Sequence, residues 1–205
     1  MKLHQRFLYR LSQAAARAFC VVFGRIEIIG AENVPKEGGV LIASNHLSNL
    51  DPPLIGSSLR RPIHFFAKEE LFRIPVLGWW ISQINAFPVK RGEHDIGAFK
   101  KARDLLVQGE GVLLFPEGHR SRTGELGPPR PGAAMLAVKA GVPVVPVCIM
   151  NSHRALHFKK LKVAFGRPIR PGTRTAEDRS YDIFAAEIMA AIAALRSKMY
   201  NDGSS

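Results

Sequence analysis

Short, almost wholly apolar runs alternate along this chain with longer runs of helical period, and that alternation restricts the fold more than any other feature. "GVLIAS" (39–44), "GVLLFPEG" (111–118) and "VPVVPVCIM" (142–150) contain no inward/outward alternation of apolar and polar residues. A strand of that kind has to be covered on both faces. Shorter β-rich runs read as strands at "RIEIIG" (25–30), "IHFFA" (63–67) and "KLKVAFG" (160–166), and "AFPVKR" (86–91) as strand or loop. Between them, period 3.6 predicts helices over 52–60, 74–84, 95–109 and 132–141, and a last one over 180–200. Pro52 and Pro53 suit a first helical turn, with Asp51 as the expected N-cap. Asp95 caps and Gly109 stops the third helix. The helix over 74–84, "IPVLGWWISQI", reads as a short buried helix, with Trp79 and Trp80 either in the core or at a membrane interface. In the last helix Phe184, Ile188, Ile192, Leu195 and Met199 form one stripe that should face the core.

The fold class expected is therefore α/β, with a largely parallel central sheet flanked by helices. A chain of 205 residues with 46% hydrophobic content supplies the core of one domain, placed at 25–200, with a disordered tail at 201–205. In such sheets the ligand crevice lies outside the carboxyl ends of the strands. "SNHLSNLDPP" and "FPEGHRSRTGEL" both leave strands in that way and are candidates to share one crevice.

Residues 1–24 are different in kind. Leu3, Phe7, Leu11, Ala14, Ala15, Ala18 and Val22 fall on one helical face, with Lys2, Arg6, Arg10 and Arg17 beside it. Arg17 breaks the only stretch that could serve as a secretory signal, and no run reaches the 18 or so apolar residues of a spanning helix. The segment is either a first helix packed on the domain or an amphipathic helix lying in a membrane interface, its arginines against anionic lipid. The formal net charge of +12 favours an anionic partner of some kind. No helix-turn-helix, zinc finger or aromatic-interleaved basic strand supports nucleic acid. Cys20 and Cys148 lack metal-ligand spacing and read as small buried hydrophobes in a reducing compartment, so no metal site is expected.

The chemistry rests on two loops. In "NHLSNLD" (45–51) a histidine and an aspartate stand five apart after a buried strand. A carboxylate that orients an imidazole makes it a general base for a hydroxyl near neutral pH. No GxSxG elbow or reactive cysteine offers a protein nucleophile, so the hydroxyl would belong to the substrate. In "FPEGHRSRTGEL" (115–126), Arg120 and Arg122 adjoin a glycine turn, and arginine forks match phosphate oxygens. Lys68, Lys90 and Arg91 bracket the apolar segment between them and would suit a phosphate beside a greasy surface. No P-loop, HExxH or GxGxxG occurs.

Together these residues resemble the glycerolipid acyltransferase family, most closely the bacterial 1-acyl-sn-glycerol-3-phosphate (lysophosphatidic acid) acyltransferases, over residues 25–170. Four blocks stand in the family's order: "NHLSNLD", "KEELFRIPVLGWW" with "FPVKRG", "FPEGHRS" and "VPVVPV". The resemblance implies His46 as catalytic base and Asp51 as its orienting partner. It implies substrate binding at Asn45, Lys68, Arg91, Glu117, Gly118, Arg120, Ser121 and Pro146. The reaction implied is direct acyl transfer from acyl-CoA or acyl carrier protein to a lysophosphatidate, with no cofactor. Glycerol 3-phosphate or another lysophospholipid is the alternative acceptor, and a catalytically silent basic module the alternative of another class. His119 stands where many members have threonine, which leaves the exact lysolipid open. The setting implied is the cytoplasmic face of a membrane, with the protein peripheral or monotopic.

Overall fold

Doubly covered apolar strands pair most readily side by side, and that is what the chain does. In a computed structural model that describes residues 3–23, 26–90, 95–157, 160–172 and 178–201, the elements begin with α1 (Leu3–Phe23), β1 (Glu27–Ile29), β2 (Val40–Ser44), α2 (Asp51–Ser57) and β3 (Ile63–Lys68). There follow α3 (Glu69–Phe72), α4 (Pro75–Gln83), β4 (Ala86–Val89), α5 (Ile96–Val107) and β5 (Gly111–Leu114). The chain ends with α6 (Gly132–Ala140), β6 (Val144–Met150), β7 (Lys162–Phe165) and α7 (Asp178–Asn201). Arg91, His94, the Cys20 side chain and residues 202–205 of the tail lie outside the described residues.

The seven strands form one sheet in the order β1-β7-β6-β2-β5-β3-β4. The five from β6 to β4 are mutually parallel, whereas β7 runs antiparallel to β6 and carries β1 parallel beside it. Alternate residues of β2 divide between the two layers. Leu41 and Ala43 join the core beneath α5, α6 and α7; Val40 and Ile42 join the core beneath α2. On α7, Phe184, Ile188, Ile192 and Met199 are buried and Leu195 packs against them, as their stripe predicts.

Two expectations change. Asp51 is the first residue of α2 rather than its cap; the cap position falls on Leu50, which makes no side-chain bond. The Asp51 carboxylate turns back along the preceding loop. Helix α4 is not buried: only Gly78 and Ile81 face inward, while Val76 is 80% and Trp79 56% exposed.

Helix α1 is bound to the domain by a polar edge. Tyr9 Oη accepts from the Ile63 N–H at 3.1 Å, Gln13 Nε2 donates to the carbonyls of Gly56 and Leu59, and Arg17 Nε donates to Ser57 at 2.8 Å. These residues recur every four positions on one stripe; Gln13 and Arg17 satisfy carbonyls at the carboxyl end of α2, and Tyr9 satisfies the N–H that opens β3. Phe7, Leu11, Ala14, Ala15 and Ala18 lie on the opposite side of the helix, exposed. Among the described residues no helix is long and apolar enough to cross a membrane.

Candidate active site

Strands β2 and β5 are parallel neighbours, so the loops at their carboxyl ends leave the same edge of the sheet side by side. One carries His46 and the other begins at Phe115. The loops are joined directly: Ser121 N–H donates to the His46 carbonyl at 2.8 Å, and the His46 N–H donates to Glu117 Oε1 at 3.1 Å.

His46 is 4% exposed. Its Nδ1 lies 2.7 Å from Asp51 Oδ2, and Asp51 is wholly buried. The same oxygen accepts the N–H groups of Leu47 at 2.6 Å and Ser48 at 2.8 Å. A carboxylate accepts only, so Nδ1 donates to Asp51, and in the neutral ring the lone pair falls on Nε2. Asp51 Oδ1 has no hydrogen-bond partner among the described residues. Phe115 stacks on the imidazole, with centroids 3.8 Å apart and planes inclined by 11°. His46 is thus held through its ring face, its Nδ1, its N–H and its carbonyl, an arrangement that leaves Nε2 free to exchange a proton.

A cleft of about 770 Å³ opens beside Leu47 and is lined across from it by His119, Arg120, Arg122, Thr123 and Leu126. Arg120 and Arg122 are exposed and form no ion pair among the described residues. The acid in the same loop, Glu125, is taken by Arg196 of α7 at 2.8 Å. Glu117, which also lines the cleft, is buried and accepts two backbone N–H groups, so the exposed charge left facing the cleft is that of Arg120 and Arg122 and suits an anionic group. A smaller cavity of about 220 Å³ by Val138, Gly141 and Pro143 lies at the opposite edge of the sheet, away from His46.

The other residues assigned from the sequence are distributed unevenly. Glu117 is buried, with Oε2 accepting the Gly127 N–H at 3.0 Å while Oε1 holds His46. Asn45 is buried and both its amide atoms engage the Ile149 backbone of β6. The Ser121 hydroxyl accepts from Gly124 N–H. Gly118 adopts φ 74°, and a Cβ there would lie 2.9 Å from Arg130 Nε, so the arginine occupies the space above the glycine. Pro146 is buried in mid-strand, and its ring packs against Gly166. Lys68 is exposed at the end of β3. The backbone N–H of the exposed Lys90 donates to Asp95, whose carboxylate also caps α5 at Ala98. Sequence reasoning missed Phe115 and Arg130. The apolar residue opening "FPEG" directly after a strand was a signal for the first, but nothing local pointed to the second.

The model of the family described as Acyltransferase matches residues 25–150. The chloroplastic 1-acyl-sn-glycerol-3-phosphate acyltransferase BAT2 of Brassica napus is 34% identical over 158 residues, covering 76% of this chain and 46% of its own. The 1-acyl-sn-glycerol-3-phosphate acyltransferase of Bacillus subtilis (strain 168) is 32% identical, covering 79% of this chain and 82% of its own. Among solved structures, the 1-acyl-sn-glycerophosphate (LPA) acyltransferase PlsC of Thermotoga maritima superimposes with a TM-score of 0.73 at 27% identity. That match covers 93% of this chain and 81% of the other. The chain spans under half the length of the Brassica protein and of its plant and algal counterparts.

Proposed function

Since the chain belongs to the acyltransferase family, we propose that it transfers a fatty acyl group from acyl-CoA or acyl carrier protein to the free hydroxyl of lysophosphatidate, giving phosphatidate. The observation that carries the reading is the buried His46–Asp51 pair, 2.7 Å apart, beside an arginine-lined cleft.

His46 Nε2 takes the proton of the acceptor hydroxyl as the oxygen attacks the thioester carbonyl. The tetrahedral oxyanion is stabilised by nearby donors and collapses; the C–S bond breaks, and the thiolate leaves and collects the proton from the imidazolium. Asp51, accepting from Nδ1, stabilises the imidazolium while it lasts. No acyl-enzyme, metal or cofactor is required by this sequence of steps. General-base assistance contributes about 10²–10⁴-fold, so fixing both substrates in line has to contribute as well. Arg120 and Arg122 hold the acceptor phosphate as paired forks. The free hydroxyl of the acceptor is thereby kept within reach of Nε2.

Both acceptor and product are lipids. The exposed apolar side of α1, opposite its docked edge, supports a peripheral or monotopic position on an anionic membrane, which we assign to its cytoplasmic face. Removing residues 1–22 should lower binding to anionic vesicles. Equal binding by the shortened chain would make α1 a packing helix only. His119 in the cleft wall favours testing other lysophospholipids and glycerol 3-phosphate as acceptors in the same assay.

The deciding experiment measures thiol release from a long-chain acyl-CoA, and in parallel from acyl carrier protein, on anionic vesicles with and without lysophosphatidate. Release should need the acceptor and should nearly vanish in His46→Ala, whose fold is checked by circular dichroism. Release that persists in the variant, or none with any donor and acceptor, rules the mechanism out.

A further inference from the structure

Helix α4 turns one apolar side to water and has no freedom to turn it back. Ile74 is 49%, Val76 80%, Leu77 39% and Trp79 56% exposed, with Pro75 exposed among them. The orientation is imposed by Gly78, which packs so close to the Phe72 backbone that an added Cβ would overlap its carbonyl carbon, 2.7 Å away. Gly78 and Ile81 are the buried residues of the helix. Rolling α4 to cover Val76 and Trp79 would drive a side chain into Phe72, so the apolar face is fixed outward. Large apolar patches on a monomer mark a surface that something covers.

Charge and continuity identify the occupant. Helix α4 touches α1, whose own exposed side carries Phe7 and Leu11. On the α3 side Lys68 and Arg73 are balanced by Glu69, which pairs with Arg73 at 3.3 Å, and by the exposed Glu70, so the excess charge beside the two faces is that of the exposed Arg6 and Arg10 on α1. A second copy of a chain with net charge +12 would bring like charges together around this patch, whereas an anionic bilayer would neutralise them. We propose that α4 is a second membrane-contacting helix. Trp79 and Val76 enter the headgroup boundary beside α1, so that two helices rather than one set the tilt of the protein on the bilayer. Tryptophan suits that depth because its ring is amphipathic. The inference rests on the membrane reading of α1, but not on the identity of the acyl acceptor.

The chain supplies its own probe. Tryptophan occurs only at 79 and 80, both within α4, so emission excited selectively from tryptophan reports this helix alone. In full-length Trp80→Phe, adding vesicles of phosphatidylglycerol and phosphatidylcholine should shift Trp79 emission to the blue. It should also relieve quenching by aqueous iodide and produce quenching by lipids brominated on their acyl chains. Full-length Val76→Ser/Trp79→Ser should partition onto the same vesicles at least about tenfold more weakly, while Trp79→Phe alone restores most of the binding. Protein that pellets with vesicles while Trp79 remains unshifted and open to iodide overturns the role of α4 and leaves that of α1 intact. Protein that does not pellet at all overturns both. A blue shift that appears without vesicles and grows with protein concentration assigns the patch to a second copy and also overturns the proposal. Acyl transfer to lysophosphatidate in detergent micelles, measured separately, tests the activity alone.

Discussion

Replacing Glu117 by glutamine separates two roles for a residue that the family resemblance places against the acceptor and the structure places beneath His46. The carboxylate is 1% exposed, accepting His46 N–H at 3.1 Å and Gly127 N–H at 3.0 Å through different oxygens. An amide has one oxygen, so one of those N–H groups would face an NH₂ and lose its acceptor. A buried donor without a partner costs about 1–3 kcal/mol, and weakening the remaining charge-assisted bond adds about 1 kcal/mol. The total is about 2–4 kcal/mol. With a urea m-value of about 2 kcal/mol/M, the unfolding midpoint should fall by about 1–2 M. Because one bond holds the backbone of His46 and either loses its acceptor or its charge assistance, kcat should fall, while KM for lysophosphatidate changes little. Urea unfolding followed by circular dichroism and steady-state kinetics on the same preparation read both quantities. An unchanged midpoint with a many-fold rise in KM would refute the brace and return Glu117 to the substrate.

Gly118→Ala should destabilise by about 1–2 kcal/mol for the left-handed backbone alone, and should further displace Arg130; a midpoint equal to the parent's would show that the turn relaxes freely. Tyr9→Phe leaves the buried Ile63 N–H without its acceptor and should cost about 1–3 kcal/mol in urea unfolding. Burial pushes the Tyr9 hydroxyl up to about 12, with the Ile63 bond partly opposing it. Tyr9 therefore adds stability below pH 10 that is lost as pH rises from 10 towards 12, where the unfolded chain releases the proton first. The parent should lose stability relative to Tyr9→Phe across that window, and parallel curves would contradict the buried placement. Burial also pushes the Cys148 thiol up to about 12; in Cys20→Ser it should ignore Ellman's reagent at pH 8 until the protein is unfolded, and prompt labelling of folded protein would be inconsistent with its position.

Much of the fold was legible because strands covered on both faces leave an unambiguous mark. "GVLIAS", "GVLLF" and "VPVVPVCIM" are apolar at every register position but Ser44, and each proved to be a central strand. The pairing of His46 with Asp51 was legible as well, since a five-residue loop is short enough to bring the two side chains together whatever else the chain does. The roles of Asn45, Glu117 and Ser121 were not legible from spacing. Their bonds reach Ile149, Gly127 and His46, across 104, 10 and 75 positions of chain, the last from a backbone N–H.

The amphipathic patterns of α1 and α4 show the same division. Periodicity gives each helix an apolar side, but it carries no information on whether that side meets the core or the solvent. On α1 the direction was decided by Gln13 and Arg17 finding the carbonyls at the end of α2 and by Tyr9 accepting the Ile63 N–H. On α4 it was decided by Gly78 fitting against Phe72. By itself the sequence determined which segments are strands, which residues could do chemistry, and how strongly the surface is charged, because those follow from local period and residue type. The tertiary structure alone decided which polar atoms are used up in holding the site and which apolar faces stay uncovered, because each depends on partners that the sheet order brings together from distant parts of the chain.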